Sequence, residues 1–255
     1  MARVGFIGTG KIAASMVRGI TGQGHEIYVS KRGANIAADL ALLDDVQIFD
    51  NQDLLDKVDI IILCLLKDVA HLILPKLNFR EGHRVISVMV DVSFSHLSKL
   101  CAPVQAIEIT IPLPFVATGN CPLPCFPSNI IISELFGTNN PIFSTKTEAG
   151  LNAHFAVTAM ASVVFAQAET VSKWLANLTE DKVAAEQYIL AMLGGFLNAF
   201  PEGGEGHINK SLIALNTQGG LNQTLREHMK VNGTLDDLEE GLNGFRKRLG
   251  LPPEL

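Results

Sequence analysis

The sequence predicts an α/β half built on a Rossmann-type doubly wound parallel sheet, followed by an all-α half. Two observations predict this division. Up to about residue 150, short apolar or β-branched runs alternate with helix-patterned segments, as in a parallel sheet with helices on both faces. Beyond that point the strand pattern disappears and helical periodicity remains. We therefore expect one domain over residues 1–150 and an all-helical domain over residues 151–255.

The first half contains six predicted strands with helices between them. The predicted strands are RVGFIG, EIYVS, VQIF, VDIIILCLL, HRVISVMV and PVQAIEITIPLP. The predicted helices are Lys11–Ile20, Ala34–Leu43, Val69–Leu77 and Phe94–Leu100. The run VDIIILCLL is rich in β-branched residues, which is typical of a strand buried on both faces. Ile130–Phe136 is a short helix or a strand, and the Pro-rich GNCPLPCFP is expected to be irregular.

The second half is predicted to begin with one long helix over Leu151–Leu178. Its apolar run FAVTAMASVVFAQA is too short to span a bilayer, so we expect a buried helix and no membrane association. The later predicted helices are TEDKVAAEQYILAMLGGFLNAF, Asn209–Leu215, Leu221–Lys230 and Leu235–Leu249.

Composition excludes several classes of protein. Hydrophobic residues make up 47% and charged residues 18%, which supports a sizeable core and argues against disorder. The net charge of −6 disfavours a nucleic-acid partner. No charged leader followed by an apolar core is visible, so we expect a cytoplasmic protein. The four cysteines have neither Cys-x-x-Cys spacing nor a histidine at zinc-finger distance, so we expect free thiols and no metal site.

The segment Gly8-Thr9-Gly10-Lys11-Ile12-Ala13 has the G-x-G-x-x-A spacing of a dinucleotide-binding turn. It follows the first strand directly and opens the first helix. Gly8 permits the tight turn, Gly10 lets the backbone approach a pyrophosphate, and Ala13 lets helix and strand pack closely. The phosphates would then rest on free N–H groups at the helix N-terminus. A glycine-rich turn without a ligand is the alternative.

The residues after the second strand favour NADP(H) over NAD(H). An NAD site usually has a carboxylate there for the ribose 2′-hydroxyl. Here EIYVS runs into Ser30, Lys31 and Arg32, and Glu26 lies at the wrong end of the strand. A hydroxyl and two cations suit a 2′-phosphate. The alternative is that Lys31 and Arg32 belong to a solvated loop.

The first half resembles pyrroline-5-carboxylate reductase and its relatives. GFIGTGKIAASMVRG, IYVSKR, DNQDLLDKVDIIILCLLK and VISVMVDVS follow that family's order and spacing. The resemblance implies that Asn51 lies near the adenosine ribose and that Leu65, Leu66 and Lys67 pass the cofactor. TIPLPFVATGN resembles the Met-Pro-Asn-Thr-Pro segment beside the nicotinamide: Pro112 and Pro114 match, and the asparagine is absent.

The second half resembles the family more weakly. Where the family has a Gly-Ser-Gly-Pro-Ala turn, this chain has Thr158–Ser162, which we expect to be unbroken helix. Where the family has Ser-Pro-Gly-Gly-Thr-Thr, this chain has Thr217–Asn222. The resemblance implies a substrate-binding loop at Gly219, Gly220 and Leu221. Thr217 and Asn222 would orient the substrate there, with the family's last threonine replaced by Asn222.

Three functions remain open from the sequence. Reduction of a C=N bond needs a hydride from the cofactor and a nitrogen that is protonated or hydrogen-bonded, which suits Thr217 and Asn222 without a strong acid. We therefore expect an NADPH-dependent reductase of a small, carboxylate-bearing imine. One alternative is an NADP-dependent hydroxyacid or ketoacid oxidoreductase with His154 as proton donor, although the favoured interpretation of His154 is a helix-terminal histidine packed at an interface. A third is an NADP(H)-binding protein without turnover.

The long helix of the second half is apolar on more than one face. A second subunit would bury such a helix more completely than one side of its own domain can. We therefore expect a homodimer that forms through the C-terminal helices.

Overall fold

The computed structural model of the chain describes residues 1–199 and 205–253. The described chain forms two compact units. The first contains Met1–Phe155 and a returning segment, Arg248–Pro252. The second contains Ala156–Lys247 and Pro253. The last predicted residue of the TEDK helix, Phe200, lies outside the described residues.

The first unit is built on an eight-stranded sheet in the order β3-β2-β1-β4-β5-β6-β7-β8. The strands are β1 (Arg3–Ile7), β2 (Glu26–Ser30), β3 (Val46–Phe49), β4 (Ile60–Leu63), β5 (Arg84–Ser87), β6 (Ala106–Thr110), β7 (Leu123–Phe126) and β8 (Ile142–Ser144). Neighbouring strands from β3 to β6 are parallel, β7 runs antiparallel to β6, and β8 is parallel to β7. The predicted fold class, a doubly wound sheet followed by helices, is confirmed.

Short helices lie between these strands or, in the case of α7, follow the last one. They are α1 (Lys11–Ile20), α2 (Ala34–Leu40), α3 (Asn51–Lys57), α4 (Lys67–Ile73), α5 (Phe94–Leu100), α6 (Ile130–Phe136) and α7 (Glu148–Val157). The open choice for Ile130–Phe136 is settled as a helix. The prediction that GNCPLPCFP is irregular is wrong, because its centre forms β7, which pairs with β6 on one side and with β8 on the other.

The core lies on both faces of the sheet. All of β4 is buried, and its side chains alternate between the two faces. Ile60 and Ile62 pack in the cluster that includes α1, whereas Ile61 and Leu63 pack in the cluster that includes α3 and α5. Full burial of each such side chain stabilises the fold by about 1.5–3 kcal/mol. The buried strand β4 therefore determines where the carboxyl ends of its neighbours, β1 and β5, lie.

Glu108 anchors α6 beneath the sheet. It is buried on β6, and its carboxylate accepts the backbone N–H groups of Ile131 (3.1 Å) and Ile132 (3.0 Å). Ser128 donates its hydroxyl to the same carboxylate. These bonds satisfy N–H groups of the first helical turn that have no partner within the helix, so a buried carboxylate replaces the usual capping residue.

The second unit is helical throughout its described part. Its helices are α8 (Met160–Thr179), α9 (Lys182–Ala199), α10 (His207–Ala214), α11 (Leu221–Val231) and α12 (Thr234–Asn243). A short helix, α13 (Arg246–Leu249), leads back to the first unit. The predicted single helix over Leu235–Leu249 is therefore wrong, because it breaks at Gly244 and Phe245.

The prediction of one unbroken helix over Leu151–Leu178 is also wrong. The same holds for the expectation that Thr158–Ser162 lies within continuous helix. The helix is interrupted by a turn at Thr158 and Ala159. Here the N–H groups of Ala161 and Ser162 bond three residues back, to Thr158 and Ala159, at 3.2 Å each. Adjacent β-branched residues, Val157 and Thr158, lower helix propensity at this point.

The apolar run around this turn is not buried, contrary to expectation. The stretch Glu148–Thr179 is long and apolar enough to cross a membrane by length and composition, yet only 11% of its most apolar window is buried within the protein. Phe165 and Trp174 are each 65% exposed, and Leu178 is 66% exposed. Exposed apolar patches of this kind mark interaction surfaces.

Candidate functional site

The turn between β1 and α1 requires its first glycine. Gly8 has φ of +97°, a conformation that side chains with a Cβ rarely adopt. A Cβ at this position would lie 2.4 Å from the backbone oxygen of Cys64, at the end of β4. Conformation and packing therefore both demand glycine here, whether or not a ligand binds.

Ser30 and Thr9 tie this turn to the end of β2. The N–H of Gly8 donates to Ser30 Oγ at 2.9 Å, and the Thr9 hydroxyl donates to the Ser30 carbonyl at 2.7 Å. Ser30 is 1% exposed and Thr9 is 3% exposed. The hydroxyl of Ser30 therefore lies inside the protein and holds the turn, rather than facing outward beside Lys31 and Arg32.

Gly10 differs from Gly8. Its φ is −100°, and a Cβ there would meet no protein atom within 4 Å among the described residues. Neither backbone conformation nor protein packing therefore requires glycine at this position. Gly10 is the N-cap of α1, and no side chain caps the helix. The N–H groups of Lys11 and Ile12, at the start of α1, can thus donate hydrogen bonds to an anion that approaches closely.

Two cations follow β2, and they differ in their partners. Lys31 Nζ lies 2.6 Å from Asp50 Oδ2, and both side chains are largely exposed. Arg32 is exposed and makes no hydrogen bond or ion pair within residues 1–199 and 205–253. Sequence reasoning missed Asp50. The signal that could have found Asp50 is the parallel pairing of β2 with β3. This pairing places Ser30 opposite Phe49 and so brings Lys31 and Asp50 together.

The neighbouring strand ends bring further predicted residues to the same edge of the sheet. Asn51 opens α3 directly after β3. Leu65 is buried, Leu66 is 78% exposed, and Lys67 opens α4. Since β4 pairs with β1, Leu65–Lys67 emerge beside the Gly8 turn. The structure thus brings the predicted cofactor residues of β1 to β4 to one edge.

The segment after β6 is fixed against α1. Pro112 is buried, and Pro114–Ala117 forms a 3₁₀ turn. The carbonyl oxygen of Val116 lies 2.7 Å from where a Cβ would sit on Gly19, in α1. Only glycine at position 19 allows this approach, so α1 determines where Pro112 lies.

The first unit also contains a cleft of about 490 Å³ at the carboxyl ends of β4 and β5. Its size is that of a small-molecule site, and ligands of open α/β sheets bind at such strand ends. Glu148 accepts the Phe94 N–H at 2.7 Å, and Asn152 donates to the Leu249 carbonyl at 2.9 Å. The remaining polar lining comes from Lys67, Asp91, Ser93 and Arg248. Sequence reasoning did not single out Asp91, Asn152 or Arg248 for this cleft.

His154 lies on α7, in the first unit, and is exposed. Its Nδ1 is 2.8 Å from the Gly150 carbonyl one turn earlier. Nδ1 is therefore engaged within α7, and Nε2 is the ring nitrogen that remains for a substrate.

The Gly-Gly loop connects α10 to α11 in the helical unit. Gly219 has φ of +71°, and its N–H donates to Gln223 Oε1 at 2.9 Å. The Gly220 N–H donates to the Thr217 carbonyl at 2.8 Å. The two amides predicted to face a ligand are therefore already bonded within the loop. No side chain caps α11, so the N–H groups of its first turn, from Leu221 on, are the free donors. Thr217 and Asn222 are exposed beside them.

No group of three or more metal-ligating side chains occurs among the described residues. Cys64, Cys101, Cys121 and Cys125 are free thiols. Burial raises the pKa of Cys101 to about 12, so this thiol stays protonated and unreactive at neutral pH.

The sheet order β3-β2-β1-β4-β5-β6 and the glycine turn after β1 are those of a doubly wound dinucleotide-binding fold. Residues 3–91 match the sequence profile of the family described as "NADP oxidoreductase coenzyme F420-dependent". No curated protein matches the chain in sequence.

Solved structures give the more particular likeness. Pyrroline-5-carboxylate reductase from Coxiella burnetii superimposes with a TM-score of 0.83 at 15% identity, covering 98% of this chain and 97% of that one. The Streptococcus pyogenes enzyme gives 0.81 at 18%, covering 97% and 98%. The Plasmodium falciparum enzyme with NADP bound gives 0.78 at 12%, covering 97% of each chain. The chain thus has the fold of the pyrroline-5-carboxylate reductases over nearly its whole length, and the resemblance found in the sequence is confirmed.

Proposed function

We propose that this protein is an NADPH-dependent reductase of a small C=N compound that carries a carboxylate, in the manner of pyrroline-5-carboxylate reductase. The observation that carries the proposal is the Gly8–Gly10 turn within that fold. Gly10 has no structural need to be glycine, yet it leaves the start of α1 open to close approach. The family likeness in fold supports the C=N substrate class.

The cofactor residues fall into three groups along the sheet edge. Backbone amides from Thr9 to Ile12 hold the pyrophosphate, while the bond from the Gly8 amide to Ser30 and the Thr9 hydroxyl shape the turn. Arg32, with Lys31, binds the 2′-phosphate. Asn51 contacts the adenosine ribose, while Leu65, Leu66, Lys67 and Pro112 line the path toward the nicotinamide. The NADP-bound Plasmodium falciparum neighbour supports this choice of cofactor.

Bound NADPH would supply the hydride, and the protein's task is to hold and orient the substrate. A cyclic imine has a pKa near enough to neutrality to arrive protonated, so no strong general acid is needed. The free amides at the start of α11, from Leu221 on, bind the carboxylate by the helix dipole and hydrogen bonds. Asn222 and Thr217 would orient the ring nitrogen of the imine for hydride transfer.

A second candidate, a hydroxyacid or ketoacid oxidoreductase with His154 as donor, fits the observed hydrogen bonding less well. Reduction of a carbonyl develops an alkoxide that requires a proton donor. His154 Nδ1 is already hydrogen-bonded to the Gly150 carbonyl of its own helix, which leaves one ring nitrogen, Nε2, for a substrate. A protein that binds NADP(H) without turnover is the third candidate, because Leu221 and Asn222 replace two hydroxyls of the family's loop.

We also propose a cytoplasmic homodimer whose interface is formed by α8 and α9, with the helical domain providing both substrate loop and dimer contacts. The exposed apolar side chains of these helices support a protein partner. The turn at Thr158 and the ion pair between Glu169 and Lys173 disfavour burial of these helices in a lipid bilayer. Exposed apolar side chains of α8 and α9 include Phe165, Trp174, Leu178, Tyr188, Leu190 and Leu197.

Turnover with NADPH tests the function directly. Absorbance of NADPH is followed with a panel of cyclic imine carboxylates and a panel of 2-keto acids. Imine turnover supports the proposal, keto-acid turnover supports the second candidate, and tight binding without turnover supports the third.

A further inference from the structure

The Gly-Gly loop is held by side chains from the helix that follows it. Gln223 accepts the Gly219 N–H through Oε1 at 2.9 Å. Its other end, Nε2, donates to Glu227 Oε1 at 2.8 Å, one turn further along α11. Since a carboxylate only accepts, Glu227 fixes which end of the Gln223 amide faces Gly219.

Arg226 braces the opposite side of the same loop. Its guanidinium donates to the Leu212 carbonyl in α10 at 3.2 Å and to Asn216 Oδ1 at 3.0 Å. One side chain of α11 therefore fixes the end of α10 and the first residue of the loop. Gln223 and Arg226 together hold the loop from both sides.

We propose that Gln223 and Glu227 are positioning residues that set how the loop reads a carboxylate. This inference rests on the proposed substrate loop and deepens it. Gln223 withdraws the Gly219 amide from ligand binding and holds Gly219 in its left-handed conformation. An anion then meets the amides at the start of α11 and the side chain of Asn222. Gln223 and Glu227 thus determine which N–H groups remain available to an anion. They favour a substrate whose carboxylate lies over the axis of α11.

The chemistry of the pair distinguishes two substitutions. Gln223→Ala removes the acceptor, so Gly219 loses its partner and the loop widens its range of conformations. Gln223→Glu keeps an acceptor for the Gly219 amide but places negative charge beside the anion site and beside Glu227. The second change repels a carboxylate substrate in addition to straining the pair. Neither substitution changes a residue of the Gly8–Gly10 turn.

The experiment measures two quantities on the full chain. Amide hydrogen exchange reports the Gly219 N–H, and steady-state kinetics report KM and kcat with pyrroline-5-carboxylate and NADPH. We expect Gln223→Ala to speed exchange at Gly219 at least tenfold, and to raise KM for the imine about fivefold with kcat within twofold. Gln223→Glu should raise KM further, and added salt should reduce that excess. The Kd of NADPH should stay unchanged in both.

Gln218→Ala is the matched control, since Gln218 is an exposed loop amide that makes no hydrogen bond within the described residues. It should behave as wild type in both measurements. Equal exchange at Gly219 in wild type and Gln223→Ala would overturn the inference, whether or not any imine is turned over. Faster exchange with an unchanged KM would overturn it too. A protein that reduces no imine contradicts the proposed function, and exchange then still decides whether Gln223 holds the loop.

Discussion

The N–H of Gly8, at the end of β1, donates a 2.9 Å hydrogen bond to the buried hydroxyl of Ser30, at the end of β2. Thr9 completes the junction through the Ser30 carbonyl. Two adjacent parallel strands are thus joined at the point where the chain turns into α1. The shape of the glycine turn between β1 and α1 depends on this junction.

Ser30→Ala removes the acceptor for the Gly8 amide and leaves a buried donor unpaired. We expect a loss of about 1–3 kcal/mol in the free energy of unfolding, measured by urea denaturation. Ser95→Ala, on the exposed face of α5, is the control and should change stability by less than about 0.5 kcal/mol. Equal stability of the two variants would show that the junction contributes nothing.

Gly10→Ala should separate binding from folding. The added Cβ meets no protein atom within 4 Å among the described residues, so the melting temperature should be unchanged or slightly higher. It would stand where the pyrophosphate approaches, so the Kd of NADPH should rise at least about tenfold, a cost of roughly 1.4 kcal/mol. Isothermal titration calorimetry measures the binding.

Gly8→Ala is the contrasting variant. Its Cβ would lie 2.4 Å from the Cys64 oxygen, and its φ of +97° suits glycine alone. We expect this variant to lose folding stability as well as binding. A Gly10→Ala protein that binds NADPH as wild type does would contradict the assignment of the turn.

Preference for NADPH should depend on Arg32 and on the pair formed by Lys31 and Asp50. Arg32→Ala removes a cation without a partner in the described chain and should raise the Kd of NADPH about tenfold, with little effect on NADH. Asp50→Asn releases Lys31 from its 2.6 Å ion pair and should tighten NADPH severalfold. Fluorescence titration with both cofactors checks this. Parallel changes for NADPH and NADH would remove these residues from 2′-phosphate recognition.

The exposed helices α8 and α9 predict a dimer that a single charge can disrupt. Trp174→Glu places a carboxylate on the proposed interface, where its desolvation is unfavourable. We expect wild type to sediment as a dimer and the variant as a monomer with unchanged helical content. A monomeric wild-type protein would leave the apolar surface of α8 without the proposed partner.

His83 should make stability depend on pH. Burial, with Arg80 nearby, lowers its pKa below the ordinary value, so the folded protein keeps the ring neutral. The unfolded chain binds a proton below about pH 6.5, and stability therefore falls as pH drops from there toward the folded-state pKa. His83→Gln should show a shallower loss of unfolding free energy between pH 7 and 5. An unchanged slope would contradict this assignment.

Much of the α/β half was predictable because its signals are local. The bounds of α1, β2, β3 and α5 match their sequence patterns. The helix α3 and the strand β8 were not predicted, because each is short and weakly patterned. Burial of the apolar run around Thr158 could not be judged from the sequence. Periodicity identifies an apolar helix face, but it does not show whether the protein itself or a partner buries that face.

The candidate site shows the same limit. The glycine spacing predicted the turn, yet the partners of Lys31 and Ser30 depend on strand order and register. In the Gly-Gly loop, the amides of Gly219 and Gly220 are bonded to Gln223 and Thr217. Nothing in the sequence spacing distinguishes an N–H group that faces solvent from one that is hydrogen-bonded within the protein.

Catalytic efficiency with NADPH is the measurement that tests the central claim most directly. It is compared between cyclic imine carboxylates and 2-keto acids, in wild type and in Asn222→Ala. The account predicts turnover of at least one imine, no comparable turnover of keto acids, and a lower kcat/KM in the variant. Keto-acid turnover without imine turnover, or NADPH binding with no turnover at all, would contradict it.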